Sequence, residues 1–443
     1  MKMKLIGIFI VVLLLCPITS GFGESTDDQI PNNKRIRKNE FTDDIISMIN
    51  QVDENKIISY LEDFVSFGYK KTGSENCKMT AEYIHDKFQD FGLYTYFDNW
   101  RFPRYKFRQK VLLFDRNVVA LHNGSDSSSD AVIIVCAHYD TIGGSPGAND
   151  DGSGIAAMLS IAEIVSQYDF NHTIRFVAFS GEELGCFGSF YDAKQAYKRN
   201  ENIIAVINID GVGFANTSDD GKILQVFCQA RSKWMVDYTN DIAEKYDDYF
   251  NIKVQYALQW PADQESYNDY GYDAAQFIHA RMELYHWLHS PDDTIDKINF
   301  TYLAKVTKLL LATCAELAHN PIDIQIRITT PYEGRVYLLG LPVFRTPCFN
   351  LGLTRIRALT YLIGKTKARV NITTNEEINT VYFGIDGYWI HICSEPPYEW
   401  RIGKKMYVLP FRLKGFHRLT VCVTTNKGNT AYDEMDIFIV KLL

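Results

Sequence analysis

The sequence predicts an α/β unit followed by an all-β unit, and three observations carry that prediction. Apolar runs at 131–137, 173–179 and 203–209 alternate with helical spacing, which is the rhythm of a mixed, mainly parallel sheet flanked by helices. From Ile322 the pattern becomes nearly pure alternation, at 322–328, 368–374 and 417–423, as strands of a sandwich require. Between the two, a helical pattern over 302–319 keeps Leu303, Val306, Leu309, Leu310, Cys314 and Leu317 on one face and stops at Asn320-Pro321.

At 443 residues the chain exceeds one ordinary domain, and 46% hydrophobic with 14% aromatic residues suffices for two cores. We expect an α/β domain over 41–320 and a β-sandwich over 321–443. In the first, 42–67 has helical spacing through Ile45, Ile49, Val52, Ile57, Leu61 and Phe64, and a second helix covers 77–91. Ser153 is placed to cap the helix after the first apolar strand. In the second, about seven short strands with turns at Gly387, Pro396-Pro397, Gly403 and 426–429 meet the needs of an immunoglobulin-like sandwich. Its segments 396–400 and 428–433 resemble those of prokaryotic Ig-like modules. No catalytic constellation appears in this stretch of sequence, so its expected role is structural or adhesive, through a surface or protein contact.

Residues 1–23 carry Lys2, Lys4, an eleven-residue apolar run from Leu5 to Leu15, and small residues at Ser20, Gly21 and Gly23. This pattern predicts an export signal and a secreted protein, with 24–40 a polar linker. The run falls short of the roughly 20 residues of a spanning helix, so no transmembrane helix is expected in the mature chain. Cys16 follows Leu15 rather than a small residue, which disfavours lipidation. The net charge of −8, or −10 once Lys2 and Lys4 are gone, excludes a nucleic-acid surface. The basic cluster 34–38 reads as solvated linker. Nine cysteines form no Cys-x-x-Cys knuckle; Cys136 and Cys314 read as buried thiols, and pairing of Cys393 with Cys422 stays open. Sequons stand at Asn123, Asn171, Asn216, Asn299 and Asn371.

The chemistry lies in five short motifs, in order along the α/β unit. His138-Tyr-Asp140 ends one apolar run, Asp150 follows in Gly147-Ala-Asn-Asp-Asp-Gly-Ser-Gly154, Glu182-Glu183 follows the next, and Asp210 ends the third. His289 stands in His-Ser-Pro-Asp-Asp-Thr. Each alone is a weak signal, since a lone His-Tyr-Asp is more often packed core and Glu182-Glu183 more often a solvated helix start. Together they place two histidines and four acids at strand ends, where an open α/β sheet binds its ligands, and they make a zinc-type set.

These motifs resemble the co-catalytic zinc aminopeptidase family that includes bacterial leucyl aminopeptidase and aminopeptidase Y, over about residues 40–320. The resemblance implies a zinc exopeptidase fold and two Zn²⁺ per chain. In it Asp150 bridges the ions, His138 and Asp210 complete one site, and Glu183 and His289 complete the other. It implies Glu182 as general base, Asp140 as the acceptor that fixes the His138 tautomer, a cis Asp150–Asp151 bond, and peptides with a free N-terminus as substrates. His289 is preferred over His286 because Ser290, Pro291, Asp293 and Thr294 follow it. Trp260, Tyr285 and Trp287 are candidates for the pocket wall. The segment 263–266 lacks the His many relatives carry, and Asp273 stands where several have Pro, which leaves side-chain preference open. Rival readings are a carboxypeptidase, for which only Arg281 is well placed, a glutaminyl cyclase of the same fold, or a non-catalytic receptor or adhesion module.

Overall fold

The helical pattern over 42–67 resolves into two helices, α1 (Thr42–Gln51) and α2 (Glu54–Ser66), because Asp53 stops the chain in an extended conformation and its carboxylate caps Asn55 N–H. The computed structural model describes residues 41–106, 109–257, 261–319, 324–346, 349–350, 355–356, 359–374, 376–402, 414–428 and 430–440. The expected export signal at 1–23, the linker at 24–40, Trp260 and Gly403 lie outside the described residues.

After α3 (Glu75–Asp90), capped by Ser74, come β1 (Tyr94–Lys106), β2 (Gln109–His122) and β3 (Ala131–His138). The chain continues through α4 (Gly152–Val165), β4 (Thr173–Phe179), α5 (Phe187–Arg199), β5 (Asn202–Ile209) and β6 (Ile223–Cys228). Then follow α6 (Lys233–Lys245), α7 (Asp247–Phe250), β7 (Lys253–Ala257), α8 (Asp263–Asn268), β8 (Ala274–His279) and α9 (Phe300–His319).

These eight strands form one mixed sheet in the order β1-β2-β4-β3-β5-β8-β6-β7. Its centre, β4-β3-β5-β8, is parallel, so the carboxyl ends of four strands open on one rim. Buried on both faces, these strands read as continuous apolar runs rather than as alternation. Ile133, Val135 and Ala137 of β3 face a core shared with α2, α4 and α9. Ile134 and Cys136 face a second cluster that contains Phe190 of α5 and Tyr267 of α8. The expected cap of α4 is corrected: Asp151, not Ser153, accepts Gly154 N–H, and Ser153 Oγ instead donates to Asn149 O at 2.7 Å and accepts from Val212 N at 2.9 Å. Asp151 stands immediately before the helix, where a capping side chain belongs, while Ser153 already lies inside the first turn.

The remaining strands are β9 (Ile324–Thr330), β10 (Arg335–Leu338), β11 (Leu341–Arg345), β12 (Phe349–Asn350), β13 (Arg355–Ile356) and β14 (Thr360–Ile363). They are followed by β15 (Thr366–Thr374), β16 (Ile378–Ile385), β17 (Tyr388–Cys393), β18 (Glu399–Ile402), β19 (Gly415–Thr425) and β20 (Thr430–Val440). Sheets β11-β10-β14-β20-β19-β16-β17 and β18-β15-β9 enclose a single core, in which Ile326, Ala368 and Trp400 of the small sheet meet Phe383, Leu419 and Ile437 of the large one. The result is an all-β sandwich. Cys393 pairs in register with Val381 and Cys422 with Tyr382, adjacent residues of β16, so the two thiols point to opposite faces and both are free.

A basic seam joins the sandwich to the α/β unit. The buried Arg231 guanidinium donates to Glu333, to Asp433 Oδ1 at 3.3 Å and to Asp273 Oδ1 at 3.3 Å. Arg345 lies 3.9 Å from the centre of the Tyr197 ring and 4.5 Å from that of Tyr270, and Arg327 covers Tyr272. Asp433 also accepts Ile328 N–H at 2.7 Å, which ties β20 to β9. Among the described residues no helix is long and apolar enough to cross a membrane.

Candidate active site

His138 is the last residue of β3, and the short turn after it brings its own main chain back to the imidazole. Nδ1 faces the Asp140 carbonyl at 3.0 Å, which fixes the tautomer and leaves the Nε2 lone pair for a ligand. The Asp140 carboxylate, expected to make that contact, lies 3.8 Å from Nδ1 and is used otherwise. It accepts Glu182 N–H at 3.1 Å and the Thr72 hydroxyl at 2.8 Å, so it ties the loop after β4 to the loop before α3. This corrects the role expected for Asp140: its backbone, rather than its carboxylate, orients His138.

Asp150 stands between two imidazoles. Its Oδ1 is 3.1 Å from His138 Nε2 and its Oδ2 is 3.3 Å from His289 Nε2. Asp210, at the end of β5, places Oδ1 3.7 Å from His138 Nε2, and Glu183 places Oε2 3.1 Å from His289 Nε2. Five of the sequence-predicted residues thus meet in two adjoining groups that share Asp150. His286 is exposed and stays outside. The Asp150–Asp151 peptide is cis, as the resemblance implied.

Asp151 also lies within ligand distance of His138 and Asp210. Its oxygens are committed to the main chain, however: Oδ2 accepts His138 N–H at 3.1 Å, and Oδ1 accepts Gly154 and Gly211 N–H at 3.0 Å each. A carboxylate with that many backbone donors braces the end of β3, the first turn of α4 and the loop after β5, and sequence reading missed it because Gly211 lies 60 residues away.

Asp293 was likewise valued only as part of the His289 motif. It is fully buried, and it accepts Asn149 N–H at 2.8 Å, Asp150 N–H at 3.2 Å and the Tyr285 hydroxyl. It therefore fastens the loop that carries Asp150 to the loop that carries His289. Tyr285 is spent on this brace and on packing against Phe214 and His279, while Trp287 remains half-buried beside them. Gly143 completes the clamp: a Cβ there would sit 2.1 Å from His289 O, and its φ of +66° suits glycine. His289 itself is held at φ 57°, a left-handed conformation uncommon for a side-chain-bearing residue.

The segment 263–266, expected near the pocket, forms α8 and is buried beneath the rim, and Asp273 belongs to the Arg231 seam. Arg281 is exposed and paired with Asp220 at 3.6 Å and Glu283 at 3.8 Å.

The electrostatics of the rim are those of acids gathered without enough positive charge. Burial pushes Glu182 well above the usual carboxylate range, and Asp263, Glu183 and Asp210 add to the rise. Burial and the Asp150 charge push Glu183 up to about 7. Hydrogen bonds to Asp150 and Glu183 raise His289 to about 10. Burial disfavours a charge on His138, yet Asp150 and Asp210 hold it well above its ordinary value. Asp150 moves the other way, because the two imidazoles outweigh its desolvation. Nitrogen and oxygen donors in this proportion fit divalent cations, which would replace the imidazolium protons as counter-charge.

A pH dependence follows from the direction of these shifts. The folded His289 binds its proton up to about pH 10, well above its unfolded value. Its contribution to the stability of metal-free protein is therefore complete below about pH 6.5 and is lost as pH rises through about 10. A metal at this position must expel the proton, so affinity is expected to climb roughly tenfold per pH unit for each proton displaced. Chelator competition from pH 6 to 9 checks this, and affinity flat across that range would contradict it.

A sheet whose central strands deliver histidine and carboxylate side chains to one rim defines an α/β protein with a candidate two-metal centre. The model of peptidase family M28 matches residues 117–314. Aminopeptidase YwaD of Bacillus subtilis is 28% identical over 210 residues, 45% of this chain and 44% of that protein. The chain thus spans less than half the length of that relative. Among solved structures, LapB from Legionella pneumophila superposes with a TM-score of 0.55 at 23% identity, covering 63% of this chain and 76% of that one. BSAP, described as a zinc aminopeptidase from Bacillus subtilis, does so with a TM-score of 0.52 at 17% identity, covering 61% and 96%. These likenesses establish the shared fold.

Proposed function

We propose that the protein is a secreted, two-zinc aminopeptidase that removes N-terminal residues from peptides. The observation that carries this reading is Asp150, whose two oxygens face two different imidazoles at 3.1 Å and 3.3 Å. His138, Asp210 and one Asp150 oxygen would hold one ion; Glu183, His289 and the other oxygen would hold the second. Zinc held there supplies Lewis acidity to a water and to the carbonyl it attacks.

The protein's own residues supply the rest. Glu182 takes the proton of the attacking water and returns it to the leaving amine, a role suited to a carboxyl whose proton affinity is raised. Its main chain is anchored by Asp140, and Cys186 Sγ donates to its Oε1 at 3.3 Å. The acid-rich rim attracts a peptide's terminal ammonium. Arg281, already paired with Asp220 and Glu283, offers poor purchase to a substrate carboxylate, which favours the amino end over the carboxyl end. The family match and the name of the YwaD relative support the same choice. Secretion rests on the pattern of residues 1–23.

The test is metal content per chain together with hydrolysis of aminoacyl-anilides, N-blocked controls and an N-terminal glutamine peptide, with and without chelator. Two zincs and chelator-sensitive turnover of free amino termini are expected. One zinc with cyclisation of the glutamine peptide would instead identify a cyclase, and no metal with no turnover a binding protein.

A further inference from the structure

Below the metal-binding rim, the face of the sheet turned toward α5 and α8 is apolar at Ile134, Val206 and Ala274. The next row along the strands is polar. Cys136 of β3 is in register with Asn208 of β5, and Asn208 with Gln276 of β8. By strand alternation these three share a face, and they stand one step beneath His138 and Asp210. Gln276 is 2% exposed, and its Nε2 donates to Asp210 Oδ2 at 2.7 Å. Its Oε1 is buried, with no hydrogen-bond partner among the described residues.

A buried amide with an unpaired oxygen is unfavourable compared with an apolar side chain of the same size. The contact it makes is with the one carboxylate that shares His138 with Asp150. By occupying Oδ2, Gln276 leaves Oδ1 turned toward His138 Nε2, 3.7 Å away. The partner group is built differently, since Glu183 Oε2 is oriented by His289 itself. The two metal positions are therefore supported unequally.

We infer that Gln276 is a positioning residue for Asp210, which selects the ligating oxygen and sets the affinity of the metal position formed by His138, Asp210 and Asp150. The inference rests on the two-zinc reading. Outer-shell partners of this kind typically change metal affinity about ten- to a hundredfold.

The experiment is a zinc titration of the metal-stripped full chain against a chromophoric chelator, with thermal melting of the metal-free protein alongside. Gln276→Met keeps the volume and removes the donor. It is expected to bind one zinc as the wild type does and the other about ten- to a hundredfold more weakly. Asn208→Val changes the same row without removing a contact to Asp210, and is expected to leave both affinities within about twofold. Should Gln276→Met fail to fold, Gln276→Asn, with an amide one methylene too short, carries the same expectation. Wild-type affinity at both positions in the Gln276 variant would overturn the inference, as would equal weakening of both positions in the Gln276 and Asn208 variants. Both outcomes leave the two-zinc reading standing. A wild type that takes up no zinc overturns that reading and the inference with it.

Discussion

Glu182→Gln is expected to keep both metals and to lower kcat by roughly 10²–10⁴-fold, the usual worth of a positioned proton acceptor. The substitution preserves shape and the anchoring of the main chain by Asp140, which accepts the backbone N–H and not the side chain. KM should change little, because Glu182 is not among the five residues that meet around Asp150. Kinetics with equal metal loading make the comparison clean. A variant with near wild-type kcat would remove Glu182 from the mechanism and leave the metal centre without its proton carrier.

The second large effect is expected at Asp150. On the two-zinc proposal, replacing it by Ala would take a ligand from both positions at once, so metal content should fall from two per chain to less than one and turnover below detection. The loss should exceed the ten- to hundredfold typical of outer-shell changes. Asp210→Ala is the matched control, since Asp210 pairs with the His138 imidazole and should cost one ion. The distinction is read by metal analysis after dialysis. If Asp150→Ala and Asp210→Ala each release one metal, Asp150 does not bridge.

The sequence was most legible where local pattern and chemistry coincide. The apolar runs that end at His138, before Glu182 and at Asp210 form β3, β4 and β5 within a residue of their expected limits, because burial on both faces leaves an unbroken apolar signature. The alternation that predicted a sandwich likewise reflects strands with one face in a core. What escaped were partners far apart in the chain. Asp293 reads as one more acid in a polar loop, and only the fold brings it to Asn149 and Asp150 N–H. Gln276 lies in a stretch that carries no motif, and its contact with Asp210 lies 66 residues away. Lys70 is another such case. It is fully buried, with Nζ donating to Gly68 O at 2.8 Å and Pro146 O at 2.7 Å, and nothing in its neighbourhood of the sequence predicts that. Side-chain type told which residues can bind a metal, but not which carboxylates spend their oxygens on the backbone, as Asp151 does.

The seam of Arg231, Arg327 and Arg345 bears on how such a chain can be cut or recombined. The pause at Asn320-Pro321 invites treatment of the sandwich as a cassette, to be trimmed off or exchanged for another β module. Yet the far side of that pause supplies two of the three acids that neutralise Arg231, and the cations that cover Tyr197, Tyr270 and Tyr272. A shortened chain would inherit an under-compensated guanidinium and three uncovered rings, just beside the segment that underlies the metal rim. Any graft in place of the sandwich must therefore reproduce the charges of Glu333 and Asp433 and the lids of Arg327 and Arg345. Without them the α/β half becomes a sticky fragment rather than a self-sufficient unit.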